Sequence, residues 1–122
     1  MVCYLAAVAY LCFARLENMN DMALFILGIP ADKVAHFLMF LPFPVLMLLC
    51  YDKFSVRPSQ AVFFALLGII AGEALAGFTE LMQGRLGYRT ADIFDFIADS
   101  LGILAGAAAA LVIDIRQMRS SR

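Results

Sequence analysis

Four stretches of this chain, at about residues 1–14, 34–51, 61–83 and 92–115, are almost continuously apolar, and short connections containing Gly, Pro, Asp and Arg separate them. This pattern limits the possible folds more than any other feature. About 20 apolar residues span the hydrocarbon core of a bilayer at about 1.5 Å per residue, and only helices or closed barrels satisfy their own backbone there. With 64% hydrophobic and 16% charged residues among 122, and a mean hydropathy of +0.89, the chain has too few polar side chains to cover a water-soluble domain. The expectation is an all-α fold, a polytopic membrane helical bundle of four transmembrane helices with short connections, in one membrane domain over residues 1–122.

Details within the stretches refine this expectation. The first run reaches only to Arg15, so it either extends past that residue with the guanidinium snorkelling to the surface or begins upstream of Met1. It lacks a basic leading region and a small-x-small cleavage site, so it reads as a retained segment. MALFILGIP, residues 22–30, is too short to cross and too apolar to float in water, which predicts a place at the interface or folded into the mouth of the bundle. Pro42 and Pro44 remove backbone donors in the second span and predict a kink. Gly68, Gly72 and Gly77 in the third span face the prospect of Gly102, Gly106 and Ala107 to Ala110 in the fourth, so these two spans are expected to pack closely as a hairpin.

Charge and cysteine content narrow the partners. The net charge of -1 includes no basic tract able to follow a phosphate backbone, which excludes nucleic acid as a partner and leaves membrane lipids. Cys3, Cys12 and Cys50 lie in apolar runs without CxxC or CxxH spacing and read as small buried apolar side chains. With four spans, the amino terminus, the connection from Tyr51 to Gln60 and the carboxyl tail share one side. That side carries Lys53, Arg57, Arg116, Arg119 and Arg122 against Arg15, Lys33, Arg85 and Arg89 opposite, so both termini are expected in the cytoplasm.

The polar residues of the spans share helix faces. Asp32 and His36 are one turn apart at the entrance of the second span, Glu73, Glu80 and Gln83 form a stripe on the third, and Asp92, Asp95 and Asp99 follow i, i+3, i+7 spacing on the fourth. All three stripes approach the non-cytoplasmic face. Glu73 and Asp99 lie about 10 Å inside, where an ionisable group costs about 2.5–3.5 kcal/mol, so both should turn toward the bundle or a wet cavity. Asp114, beside Arg116, reads as an interface residue.

DKVAHFLMF and TELMQGRLGYRTADIFDFIADSLGILAG then supply a more specific signal. Over about residues 30–110 the chain resembles the VanZ-like family of small bacterial integral membrane proteins. The resemblance rests on Asp32, Lys33, His36 and Phe37, then Glu80 and Gln83, then Arg89, Asp92 and Asp95, then Gly102 and Gly106; the family's usual Asn falls at Asp99. It implies a bacterial inner membrane protein of a family associated with low-level resistance to the glycopeptide teicoplanin, and no particular reaction.

The candidate polar site is therefore Asp32, His36, Glu80, Gln83, Arg89, Asp92 and Asp95, and several readings stay open. In one it binds or modifies an envelope lipid or lipid-linked cell-wall component. Crowded acids resist simultaneous ionisation, so a protonated Glu80 or Asp95 could act as general acid with His36 as base, while Arg89 and Lys33 grip a phosphate. In another the same residues form an inter-helix packing network in a non-catalytic subunit of a larger membrane complex. A divalent metal is a less favoured variant, because the ligand types suit it but no compact metal motif is present. Proton or solute movement through Glu73 and Asp99 is disfavoured, since the cytoplasmic halves of the third and fourth spans hold no ionisable relay.

Overall fold

The computed structural model describes residues 1–13, 25–26, 28–51, 55–87 and 93–121, with side chains except those of 12, 13, 25, 26 and 29–32. In chain order these form α1 (Val2–Phe13), β1 (Phe25–Ile26), β2 (Ile29–Pro30), α2 (Ala31–Phe40), α3 (Phe43–Cys50), α4 (Pro58–Arg85) and α5 (Ile93–Ser120). The segments Lys33–Cys50, Pro58–Arg85 and Ile93–Ser120 are each long and apolar enough to cross a membrane. The helix at the amino terminus is shorter: its 12 residues rise about 18 Å, against a hydrocarbon core of about 30 Å. The architecture is a helical membrane bundle of three long apolar spans and this short helix.

Each element starts and stops for local reasons. Part of MALFILGIP closes on itself as a minimal antiparallel ladder, Phe25 opposite Pro30 and Ile26 opposite Ile29, about Gly28 at φ 81°. No such pairing was expected from the sequence. Pro58 opens α4 after an extended Arg57, where its missing N–H would have had no helical partner. Gln60 Oε1 accepts from the Val56 and Arg57 N–H groups at 3.0 and 3.2 Å. Leu86 caps α4 at its other end, and Gly87 follows at φ 76°, a left-handed conformation that glycine adopts without steric cost.

The kink predicted from Pro42 and Pro44 divides the second span into α2 and α3 at Leu41–Pro42. Leu41 N–H still donates to the Phe37 carbonyl (3.0 Å) and Leu46 N–H to the Pro42 carbonyl (2.9 Å), so the chain bends without unwinding. From α1, the Tyr4 hydroxyl donates to the Met39 carbonyl at 2.5 Å beside the bend. Val8, Phe40, Ala76 and Ile103 bury one another at the centre. Lipid is as apolar as these side chains, so their association rests on close van der Waals packing.

α4 and α5 pack closely against each other as expected, but most of the small residues named for that contact serve another one. A Cβ on Gly102 would collide with the Phe37 carbonyl oxygen, and one on Gly106 with the Leu41 carbonyl oxygen and with Pro44 Cδ at 2.9 Å. The glycines of α5 thus seat the kinked second span against α5. Of Gly68, Gly72 and Gly77, only Gly72 meets α5 closely, at Ile103, while Gly68 meets Pro44 and Gly77 reaches Phe96 only at 4.0 Å. The backbone of the bend comes so close to α5 that a Cβ at Gly102 or Gly106 would overlap it.

Two other expectations are overturned. Cys3 and Cys50 are exposed on the bundle surface, not buried; lipid accepts an apolar thiol as readily as a core does. Cys12 falls outside the described side chains. Asp114 turns inward and is 1% exposed, its carboxylate accepting the Ser55 N–H (2.8 Å) and hydroxyl (2.6 Å). It ties the end of α5 to the segment leading into α4, where two otherwise unsatisfied donors need an acceptor. By contrast Phe63, Leu66, Ile70 and Leu81 of α4 and Leu101, Leu104 and Val112 of α5 face outward, the apolar exterior of a membrane bundle.

Candidate functional site

The polar side chains gather at the opposite pole from Ser55 and Asp114. Lys33 and His36 are one turn apart on α2, Glu80 and Gln83 one turn apart near the end of α4, and Asp95 and Asp99 one turn apart at the start of α5. Spacings of three and four residues put each pair on one face of its helix. α5 receives both partners from α2: Lys33 Nζ is ion-paired with Asp95 Oδ1, and His36 Nδ1 lies 2.8 Å from Asp99 Oδ1. His36 Nε2 stands 3.6 Å from Asp95 Oδ2. The imidazole is therefore held between two carboxylates.

Burial varies across the cluster. Asp99 is 0% exposed, and His36, Glu80, Gln83 and Asp95 are also buried. The side chain of Lys33 keeps 18% of its exposure, which makes it the accessible member of the chain Lys33–Asp95–His36–Asp99. Asp95 lies in the first turn of α5, where the helix dipole favours negative charge. Asp99 Oδ2 is buried and has no hydrogen-bond partner among the described residues. His36, Glu80 and Asp99 each present one metal-competent atom, all within 4.8 Å of one another.

Of the residues selected from sequence, the structure brings His36 together with Glu80 and Asp95, and places Gln83 buried one turn beyond Glu80. Asp32 lies in α2 with its side chain outside those described, and Arg89 and Asp92 are outside the described residues. Lys33 and Asp99 join the cluster; the sequence suggests Lys33 as a phosphate grip and Asp99 as facing the bundle, though neither stands in the candidate set. The signal for both was visible, since Lys33 is one turn before His36 on a polar face and Asp99 continues the Asp95 stripe. Glu73 turns toward α5, where Ser100 Oγ donates to its Oε2 at 2.8 Å, as the cost of an acid facing lipid requires.

The VanZ/LLP1 family model matches residues 1–114, which takes in the short first helix, the first two long spans and most of the third. The chain belongs to the VanZ/LLP1 family. No curated protein and no solved structure gives a match. In this VanZ/LLP1 chain, Lys33, His36, Glu80, Gln83 and Asp95, the described polar positions that carried the resemblance, lie at one pole, where Asp99 is bonded to His36. The Gly102 and Gly106 positions of the same pattern hold the kinked span that carries Lys33 and His36.

Proposed function

We propose that this polar pole binds the head group of an envelope lipid or lipid-linked cell-wall component at the non-cytoplasmic face of the bacterial inner membrane, with both termini in the cytoplasm. One observation carries the reading: four ionisable side chains, Lys33, Asp95, His36 and Asp99, form a continuous chain inside a bundle whose outer faces are apolar. Ionisable groups in a membrane span are costly and mark sites of binding or transfer. Lys33 offers a phosphate a compact positive charge near the surface. His36, oriented by carboxylates on both ring nitrogens, is placed to take or give a proton if the bound group is also modified. The orientation is supported by Ser55 meeting Asp114, since this puts the connection before α4 and the end of α5, both basic in sequence, at the other pole.

A second reading has its own support. The Lys33–Asp95 ion pair and the His36–Asp99 hydrogen bond both join α2 to α5, the contact a packing network in a structural subunit of a larger complex would need. The two separate on what copurifies. From detergent-solubilised inner membranes, the lipid reading expects one head-group class enriched severalfold over bulk lipid and lost in Asp95→Asn. Bulk composition in both proteins, with a stoichiometric partner protein lost from the variant, would establish the packing reading instead.

A further inference from the structure

The geometry points to a divalent transition-metal site formed by His36, Glu80 and Asp99, one ligand from each of α2, α4 and α5. The three ligand atoms lie within 4.8 Å of one another, and all three residues are buried. Two ligands on opposite sides of one ion are about 4.2 Å apart at bond lengths of about 2.1 Å. The set therefore closes on a single ion with modest side-chain movement, Glu80 being the longest arm. The 2.8 Å separation of His36 Nδ1 and Asp99 Oδ1 is close to the roughly 3.0 Å between adjacent ligands in an octahedral sphere of about 2.1 Å radius. An ion takes the place of the proton shared by these two atoms.

A second observation calls for a cation at the same point. Asp99 is 0% exposed, and its Oδ2 has no hydrogen-bond partner among the described residues. A buried carboxylate oxygen left in that state is expensive. It belongs to the same carboxylate as Oδ1, and bidentate coordination by that carboxylate would satisfy it. The surroundings also suit a metal. With Nδ1 on the ion, His36 Nε2 carries the ring proton toward Asp95 Oδ2 at 3.6 Å, and Lys33 holds Asp95. A carboxylate behind a ligating histidine fixes its tautomer and ring orientation.

The donor set selects the ion. One imidazole with two carboxylates suits Zn²⁺ or Mn²⁺; Mg²⁺ and Ca²⁺ prefer all-oxygen sites, and Cu⁺ prefers sulfur. Three protein ligands leave coordination positions open to water or an anionic group. The site rests on ligand geometry and the unpartnered Asp99 oxygen, and it stands whether or not a lipid binds at this pole.

The test uses the full chain in detergent, stripped by chelator and equilibrated with Zn²⁺ or Mn²⁺ alone. Wild type is expected to hold one ion per chain at micromolar free metal and to unfold at higher temperature when loaded. Asp99→Asn and His36→Gln should each weaken binding by about tenfold or more, while Glu73→Gln binds as wild type. A wild-type protein that retains no ion, or Asp99→Asn binding as tightly as wild type, overturns the site. Should either variant fail to fold, Mn²⁺-loaded wild type decides: electron spin echo spectra should show nitrogen coupling from imidazole, and its absence sinks the assignment.

Discussion

Adding one methyl group at each of three glycines probes whether the kinked second span sits on α5 as described. At Gly106 the new Cβ would overlap the Leu41 carbonyl oxygen and stand 2.9 Å from Pro44 Cδ, both parts of a proline-stiffened bend that cannot rotate away. Overpacking of this kind costs about 1–3 kcal/mol, and an overlap with backbone belongs near the top of that range; alanine's helix propensity returns about 1 kcal/mol at most, so Gly106→Ala is expected to lose about 2 kcal/mol. At Gly72 the neighbours are the Cγ1, Cγ2 and Cδ1 atoms of Ile103 at 3.0–3.1 Å, a side chain that can yield slightly, so the loss should be smaller, about 0.5–1 kcal/mol. At Gly77 the nearest atom is Phe96 Cε2 at 4.0 Å, an ordinary contact. Gly77→Ala should therefore be neutral or stabilising by up to about 1 kcal/mol. Thermal unfolding in one detergent, followed by far-ultraviolet circular dichroism, should rank Gly77→Ala at or above wild type, then Gly72→Ala, then Gly106→Ala. If Gly106→Ala unfolds at or above wild type, the second span does not pack on α5 in this way.

Other substitutions test other joints. Tyr4→Phe removes the hydroxyl that donates to the Met39 carbonyl and should cost about 0.6 kcal/mol, a typical value for a membrane hydrogen bond; no change in unfolding would mean that α1 is not anchored at the bend. Asp114→Ala strands the buried Ser55 donors and should cost about 1–3 kcal/mol. Hydrogen exchange should rise at the start of α4, and Asp114→Asn should recover most of the loss. In a background with Cys3, Cys12 and Cys50 replaced by alanine, a membrane-impermeant thiol reagent applied to intact spheroplasts should label Leu86→Cys and spare Ser121→Cys. The reverse pattern would place the polar pole in the cytoplasm.

The spans, the bend and the meeting of the polar stripes were legible because each leaves a mark in the linear sequence. Apolar length marks a span, Pro42 and Pro44 mark a missing donor, and the spacings of His36, Glu80 and Asp95 mark a face. The directions of apolar residues left no such mark. In a membrane bundle the lipid-facing and core-facing positions are equally apolar, so nothing in the sequence tells that Gly106 faces Leu41 and not α4, or that Cys3 and Cys50 point outward. Asp114 was misread for a related reason. Its neighbour Arg116 suggested a surface pair, whereas its partner Ser55 lies 59 positions away and is found only once the helices are assembled. Asp99 was read as facing the bundle, which it does, but only the structure shows it bonded to His36.

The central claim, that the polar pole binds a ligand and does more than hold α2 to α5, is tested most directly by removing one ion pair whole. Lys33→Met with Asp95→Asn deletes both charges, keeps the side-chain shapes and leaves His36 an acceptor, and loss of both members of a buried pair is often neutral for stability. Lipid occupancy by native mass spectrometry and the unfolding midpoint should be measured on the same sample of this double variant. The account predicts a midpoint near that of wild type with the enriched lipid lost; a protein that keeps the lipid, or loses it only in proportion to its stability, would contradict it.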